Sequence, residues 1–277
     1  MPYVVTVTLA VIVFSILTSS IYLINDIIDY QADRKHPFKK KRPIASDKLP
    51  IPLALATAIA GLIIVIISSF FFTPFFRILI IGYIILQITY ATKLKHIPIL
   101  DVISIATGFL IRIYAGAVVV NLHMSVWFLL TVVSASLFLA VGKRQSERTL
   151  LNGKADLLGK TRVSLKRYSQ RLLDQYTGMF ANATWLTYAL FTFQDQTVRP
   201  NDKFTNLYVI LPRTLQSQKL LMLTVPFVIY GIMRYLHLVY EDNQGESPEK
   251  VLLRDKPLLF TVFLMMVSVM IIIYVLG

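Results

Sequence analysis

Residues 21–49 have the sequence IYLINDIIDYQADRKHPFKKKRPIASDKL, in which an apolar run leads directly into a dense group of charged side chains. Asp26, Asp29 and Asp33 follow Asn25 at the end of that run. Basic side chains come next, and the prolines among them prevent them from continuing as a regular helix. This stretch therefore predicts a helix that leaves an apolar environment and presents acidic and then basic groups at its end.

The composition of the chain indicates a membrane protein. Of its 277 residues, 56% are hydrophobic and 16% are charged, and the mean hydropathy of +0.64 exceeds that of ordinary water-soluble domains. A helix needs about 20 apolar residues to cross about 30 Å of hydrocarbon. The runs of roughly suitable length are 3–24, 51–72, 75–91, 99–120, 125–141, 175–193, 220–240 and 257–276. We therefore predict an all-α, polytopic membrane helical bundle with about eight transmembrane helices, which forms a single domain over residues 1–277.

The distribution of Lys and Arg predicts which side of the membrane the loops face. Of the 28 basic residues, 21 fall in the segments 25–50, 92–98, 142–174 and 241–256, and 5 lie in the loops of the opposite side. Basic loops prefer the cytoplasmic side. We therefore expect a multi-pass cell-membrane protein whose termini lie outside and whose active site faces the cytoplasm. Membrane lipid is an expected partner of the basic segments, and nucleic acid is not.

The spacing of the acidic residues predicts a metal site. On a helix that continues from the first span, Asp26, Asp29 and Asp33 form one stripe beside Asn25. Like charges at these spacings destabilise a helix unless a cation joins them, although a solvated helix end with incidental acids is the alternative. Carboxylate and amide oxygens suit Mg²⁺, which usually binds one or two carboxylates together with substrate phosphates. We therefore expect these four residues to bind a diphosphate through Mg²⁺.

A strip of cations follows the acidic stripe. Its members are Arg34, Lys35, Lys39, Lys40, Lys41 and Arg42. Some of these side chains are expected to contact only lipid phosphates. Lys41 and Arg42 are the candidates for binding a phosphorylated substrate. Arg42 is the first choice because a guanidinium makes planar, bidentate contacts with phosphate.

The stretch NDIIDYQADRKHPFKKKRPIAS resembles the N-D-x-x-D-x-x-x-D signature of the UbiA-type intramembrane prenyltransferase superfamily. The resemblance implies a helical bundle with a polar cavity that opens to the cytoplasmic side. In the prenyltransferases this motif binds a prenyl diphosphate through Mg²⁺, and a second motif of D-x-x-x-D type lies four spans later. The superfamily usually has nine spans, and the first span here corresponds to its second. We therefore expect one helix fewer than the family's nine.

The segment 142–174 departs from that pattern. It carries nine Lys and Arg residues and no D-x-x-x-D. Lys143 and Arg144 follow an apolar run and are expected to bind a phosphate that carries no magnesium, with Glu147 one helical turn away to orient them. The alternative is a basic cytoplasmic loop that serves only topology.

The pattern G-K-R-x-x-E in place of the acidic motif resembles one branch of the superfamily, the decaprenyl-phosphate phosphoribosyltransferases. Residues 100–117, 226–240 and 245–259 resemble the same branch. This resemblance implies a donor, 5-phosphoribosyl 1-diphosphate, and an acceptor, polyprenyl phosphate. The aspartate stripe would then hold Mg²⁺ on the donor's diphosphate, and Lys143 and Arg144 would hold its 5-phosphate.

Four further charged residues are candidates for substrate binding. Asp101 and Arg112 lie about three turns apart on one face of a predicted span, and Arg234 and Asp255 flank the segment between the last two spans. Charges at membrane depth are mostly functional, or at least paired inside the bundle. The alternatives are a helix N-terminal acid for Asp101, snorkelling for Arg234 and a solvated loop charge for Asp255.

Two other functions stay open. The first alternative to phosphoribosyl transfer is an ordinary prenyltransferase, which moves a prenyl group from its diphosphate to an aromatic acceptor. The second alternative is a transporter or binder of phosphorylated isoprenoids. The missing second aspartate motif speaks against the prenyltransferase. Binding without release of diphosphate would favour the transporter.

Overall fold

The computed structural model describes residues 2–35, 39–151, 167–194, 219–241, 251 and 253–276, and all regular structure in these ranges is helical. The α-helices are α1 (Pro2–Ile28), α2 (Tyr30–Lys35), α3 (Ile51–Ser69), α4 (Pro74–Thr92), α5 (Leu100–Val119), α6 (Val126–Leu151), α7 (Gln170–Gln194), α8 (Val225–Tyr240) and α9 (Lys256–Ile271). Short 3-10 turns lie at Lys39–Lys41, Leu94–His96 and Leu220–Thr224, and a π-helical turn lies at Ile272–Leu276. The predicted all-α fold is confirmed.

Seven helical segments of the described ranges are long and apolar enough to cross a membrane, and they include α1, α3, α4, α5 and α6. The other two are Leu220–Tyr240 and Lys256–Tyr274. The eighth predicted span, 175–193, does form a long helix, α7. This helix is not among the seven because its sequence interleaves polar side chains such as Gln175 and Asn182 with the apolar ones. The predicted polytopic bundle is confirmed.

One compact unit comprises residues 1–124 and 151–169, and α1 contacts α3, α4 and α5 within it. Small residues of α3 face α1: Ala54 and Ala58 are fully buried, and a Cβ atom added to Gly61 would overlap the Ser20 hydroxyl. Small residues let two membrane helices approach closely. This packing fixes the C-terminal half of α1 at Ser20, less than two turns before Asn25.

A second compact unit comprises residues 125–150 and 170–277, and its core includes Phe138, Tyr235 and Leu258. A Cβ atom at Gly142 of α6 would lie 3.0 Å from the Tyr235 hydroxyl oxygen, so glycine permits the close approach there. Helix α6 does not end at residue 141, where the apolar run ends, but continues to Leu151. The predicted end of this helix at residue 141 was wrong. The helix continues because the polar side chains that follow the apolar run are buried inside the protein. The motif G-K-R-x-x-E therefore lies on a helix.

Candidate active site

The three aspartates of the acidic stripe lie along one helical path in the first unit. Helix α1 ends at Ile28, but the Asp29 amide donates to the Asn25 carbonyl at 2.9 Å and the Asp33 amide donates to the Asp29 carbonyl at 2.8 Å. These bonds carry the i to i−4 pattern from α1 into α2. The predicted continuation of the helix is confirmed.

Arg42 joins two of these aspartates. One terminal nitrogen of its guanidinium, Nη1, lies 2.6 Å from Asp26 Oδ1 and 2.9 Å from Asp33 Oδ2. A single nitrogen atom therefore contacts one carboxylate oxygen of each aspartate. Arg42 was the first choice for a phosphate contact from the sequence; it lies against the acidic oxygens in the structure, and its phosphate contact stays a prediction.

A folded turn positions the backbone of Arg42. The Ser46 amide donates to the Arg42 carbonyl at 2.9 Å, and the side chains of Ile44 and Ala45 are buried. The turn is fastened to α2 by Asp47, which accepts a hydrogen bond from the Tyr30 hydroxyl at 2.7 Å.

Arg34 completes this fastening. Its guanidinium lies 3.3 Å from Asp47 Oδ2 and donates to the Tyr30 hydroxyl at 2.6 Å. Arg34 thus stabilises the turn through Asp47 and Tyr30, whereas Lys41 is exposed beside it. The two cations of the basic strip are therefore placed differently from Arg42, which reaches the carboxylates.

Lys95 is a functional candidate that the sequence analysis missed. It lies in the 3-10 turn between α4 and α5, it is 6% exposed, and its ammonium pairs with Asp29 Oδ1. In the sequence it stood out only as one of two lysines in a short loop, 66 positions from its partner. The position of Lys95 in a short loop beside a predicted span was the one feature that could have indicated it. Lysines in such loops are equally common for setting the orientation of the protein in the membrane.

Burial also affects the protonation of the stripe. Desolvation raises the pKa of Asp33 above its usual range, although Arg42 and Lys39 lower it, and the charge of Asp29 raises it further. The net effect is a raised pKa, which makes the ionised carboxylate that a metal ion needs less favourable than in water, and the nearby cations offset part of this cost.

The donor set of the stripe fits Mg²⁺ in its chemistry. It offers carboxylate oxygens, and Asn25 Oδ1 is buried without a hydrogen-bond partner in the described part of the chain. Hard oxygen donors of this kind are those that Mg²⁺ prefers. Among the described residues, however, no three acidic or histidine side chains converge as a ready metal site. The four-ligand magnesium site stays a prediction.

Arg112 lines a small cavity of about 70 Å³ that also reaches Asn25 and Gln87. Its guanidinium donates to the Tyr83 hydroxyl and lies 5.3 Å from the centre of the Tyr83 ring. The Arg112 Nε atom is buried without a hydrogen-bond partner in the described ranges. The cavity therefore connects an intramembrane cation with Asn25, which directly precedes the acidic stripe.

Asp101 and Arg112 have different partners, although both belong to α5. Asp101 is fully buried and accepts a hydrogen bond of 2.7 Å from the Tyr168 hydroxyl, which itself accepts one from the Ile99 amide at 2.6 Å. Ile99 has a positive φ of 71°, which is a strained conformation for a β-branched residue. Tyr168 was also missed by the sequence analysis, because 67 positions separate it from Asp101.

The basic motif of the second unit lies on α6. Arg144 is 1% exposed and forms the predicted ion pair with Glu147. The neighbouring Gln145 donates to Asp174 Oδ1 at 2.7 Å. Lys143 is only partly buried. The motif thus contains one buried, paired cation and one cation that is partly exposed.

Arg234 and Asp255 form a bidentate ion pair. The Arg234 Nε and Nη2 atoms lie 3.2 Å and 2.6 Å from the two carboxylate oxygens of Asp255. Asp255 is also the N-cap of α9, since its Oδ1 accepts a hydrogen bond from the Leu258 amide at 2.9 Å. This geometry gives the pair a structural role, and its predicted contact with substrate stays a prediction.

Comparison with known proteins agrees with this architecture. The sequence profile described as the UbiA prenyltransferase family matches residues 1–264. Decaprenyl-phosphate phosphoribosyltransferases of Mycolicibacterium smegmatis and Corynebacterium glutamicum are both 36% identical to the chain; the matches cover 91% and 92% of it and 75% and 72% of the relatives. A UbiA homolog from Archaeoglobus fulgidus bound to GPP and Mg²⁺ has a similar fold, with a TM-score of 0.66 at 16% identity over 98% of this chain and 88% of the other.

Proposed function

The chain belongs to the UbiA prenyltransferase family, and on that basis we propose that it transfers 5-phosphoribose from 5-phosphoribosyl 1-diphosphate to a polyprenyl phosphate such as decaprenyl phosphate. In this reaction the bond between the anomeric carbon and the diphosphate breaks, and an oxygen of the acceptor phosphate takes its place. The products are polyprenyl-phosphoryl-5-phosphoribose and diphosphate. The proposed active site faces the cytoplasm, in agreement with the distribution of basic residues.

The observation that carries this proposal is the motif G-K-R-x-x-E at the end of α6. An acidic motif in this place would bind a second magnesium ion for a prenyl diphosphate. The motif instead carries positive charge, and its partly exposed member Lys143 suits direct binding of a phosphate, such as the 5-phosphate of the donor, beside the buried Arg144. The names of the relatives, which match over nine-tenths of the chain, support the same choice.

Asp26, Asp29, Asp33 and Asn25 would hold Mg²⁺ at the acidic stripe. When bound, the metal would supply positive charge that stabilises the departing diphosphate. Lys95 fixes the orientation of Asp29 from a buried position. The guanidinium group of Arg42 is suited to bind the oxygens of the diphosphate.

Arg112 is assigned to the acceptor in this proposal. The phosphate of a polyprenyl phosphate is already ionised, so its attack on the anomeric carbon needs no general base. Arg112 and the cavity that it lines offer positive charge and hydrogen-bond donors for an anionic oxygen at membrane depth. The exposed apolar side chains of the helices suit the polyprenyl tail.

The proposal is tested by incubating membranes that contain the protein with radiolabelled 5-phosphoribosyl 1-diphosphate, decaprenyl phosphate and Mg²⁺. We expect label to enter the lipid extract, and release of diphosphate to accompany it. A parallel incubation contains labelled prenyl diphosphate and an aromatic acceptor. Product only in this second incubation would refute the proposal and favour a prenyltransferase, and binding of either donor without diphosphate release would favour a lipid binder.

A matched pair of variants links the activity to the stripe. Asp29→Asn keeps the size of the side chain and removes its charge, and we expect it to abolish turnover at any donor concentration. Glu241→Gln removes an exposed acidic charge at the end of α8 and should leave turnover unchanged. Turnover of Asp29→Asn within a few-fold of the wild type would contradict the metal role of the stripe.

A further inference from the structure

One oxygen of each carboxylate that a divalent ion would use is already bound by a side chain of the protein. Arg42 contacts both Asp26 and Asp33, and Lys95 contacts Asp29. Each carboxylate of the stripe therefore has a cationic partner. Asp29 can bind a metal ion through its second oxygen while Lys95 stays in place, whereas metal binding at the Asp26 and Asp33 oxygens that Arg42 contacts requires the guanidinium to give way.

The charges around the stripe lead to the same conclusion. Three carboxylates face Arg42 and Lys95 directly, and Lys39 is close enough to influence Asp26 and Asp33. Their negative charge is thus largely balanced within the protein. A metal ion that arrives alone gains little attraction from a balanced cluster, whereas one that arrives with an anionic diphosphate brings a new partner for a displaced cation.

The two cations differ in how easily they can be displaced. The side chain of Arg42 is 38% exposed, whereas that of Lys95 is 8% exposed. Moving the buried ammonium of Lys95 away from the Asp29 carboxylate would be costly, but a guanidinium at the surface can rotate into water. One rotation would release both carboxylates, because a single nitrogen of Arg42 contacts the two of them.

The backbone around Arg42 permits this rotation without unfolding. The turn that follows it is held by buried Ile44 and by the contacts of Asp47 with Tyr30 and Arg34. None of these contacts involves the guanidinium of Arg42. The side chain can therefore move while its Cα atom stays in place.

We propose that Arg42 is a displaceable counter-ion, which neutralises Asp26 and Asp33 until magnesium and diphosphate bind and then moves from the carboxylates to the phosphate oxygens. Lys95 stays with Asp29 as a fixed positioning residue. The inference rests on the proposed magnesium and diphosphate site, but not on the identity of the group that the enzyme transfers. It makes Arg42 an antagonist of metal binding in the absence of diphosphate, although it assists diphosphate binding.

Metal affinity without any substrate tests this role. Purified protein in detergent is titrated with Mn²⁺, and free Mn²⁺ is measured by electron paramagnetic resonance. We expect Arg42→Gln to bind Mn²⁺ about tenfold more tightly than the wild type, because no guanidinium competes for the two carboxylates. Inorganic diphosphate should raise the Mn²⁺ affinity of the wild type more than that of Arg42→Gln, since only the wild type has a cation to transfer.

Lys40→Gln is the matched control. It removes one positive charge from the 3-10 turn next to Arg42, and its side chain is exposed. Its Mn²⁺ affinity should stay within about twofold of the wild type, which separates the contact from the general potential. Unchanged or weaker Mn²⁺ binding by Arg42→Gln would overturn the proposal and leave Arg42 as a phosphate ligand or a structural link.

A second measurement uses the unaltered protein. Phenylglyoxal modifies guanidinium groups, and mass spectrometry reports the rate at Arg42 with Arg34 as an internal reference. Mg²⁺ alone at saturation should accelerate labelling of Arg42 several-fold, and added diphosphate should then protect it. Labelling of Arg42 that Mg²⁺ leaves unchanged or slows would refute the displacement. If these results hold while the phosphoribosyl assay fails, only the proposed transferred group is wrong.

Discussion

Removal of the Asp255 carboxylate distinguishes a structural pair from a substrate site. Asp255 accepts a hydrogen bond from the Leu258 amide and so caps α9, and it forms two short contacts with the guanidinium of Arg234. Asp255→Ala loses both, whereas Asp255→Asn keeps a capping side chain and loses the charge. The two variants therefore separate the cap from the ion pair.

The expected magnitude follows from these contacts. Loss of an N-cap costs about 1 kcal/mol. Breaking a fully buried ion pair costs roughly 3–5 kcal/mol, but the side chain of Arg234 is 28% exposed, so water reduces the cost to about 1–2 kcal/mol. We expect Asp255→Ala to lower the free energy of unfolding by about 2–3 kcal/mol and the melting temperature by roughly 5–10 °C. Asp255→Asn should show about half of this effect.

The pH dependence gives an independent check. The hydrogen bond from Arg234 holds the pKa of Asp255 below its ordinary value of 3.8, and the Leu258 amide acts in the same direction while burial opposes both. A carboxylate whose folded pKa is lowered stabilises the fold above the unfolded pKa and loses this contribution as the pH falls through the folded value. The difference in melting temperature between wild type and Asp255→Asn should thus be constant from pH 5 to 8 and shrink below about pH 4.

The assay is thermal unfolding of the purified protein in detergent, followed by tryptophan fluorescence, together with the KM for the donor. We expect lower melting temperatures and a KM within about twofold of the wild type. A variant that melts like the wild type but has a tenfold higher KM would refute this argument. The sequence-based assignment of Asp255 and Arg234 to substrate binding would then be supported instead.

Two further predictions concern the first unit. Gly61→Leu should lower the melting temperature by several degrees because its side chain would overlap the Ser20 hydroxyl. A second change, Ser20→Gly, should recover part of the loss. An unchanged melting temperature in Gly61→Leu would contradict the close packing of α1 and α3. Lys95→Met should reduce turnover at least a hundredfold because it removes the buried partner of Asp29. Lys93→Met, an exposed position in the same loop, should keep turnover near the wild-type value. Equal effects of the two variants would mean that only the charge of the loop matters.

The acidic stripe was predictable because its geometry is local. Asp26, Asp29 and Asp33 are separated by three and four positions, and helix geometry alone places them on one side. Arg42 was predictable as a neighbour but not as the cation between two carboxylates, since the turn that returns it to α1 depends on burial of Ile44. The spans were predictable because the hydropathy of a 20-residue run is a strong local signal.

The missed residues share a long separation in sequence from their partners. Lys95 reaches Asp29 and Tyr168 reaches Asp101 across 66 and 67 positions. A single sequence contains no signal for such pairs, because they depend on how the helices pack. The end of α6 was missed for a different reason: the apolar run stops at residue 141, but polar side chains continue the helix by finding partners inside the unit.

The residues of the motif G-K-R-x-x-E differ in burial and therefore in the roles that we expect for them. Arg144 is buried and its charge is balanced by Glu147, so this pair adds little net attraction for an anion. Lys143 lies at the partly exposed position next to it and has a more adaptable side chain. We therefore expect Lys143 to supply most of the charge that binds a phosphate, while Arg144 and Glu147 fix the path of α6 beside it. The replacement of an acidic motif by a basic one then matters less for the number of its charges than for the one partly exposed cation, Lys143, that it provides.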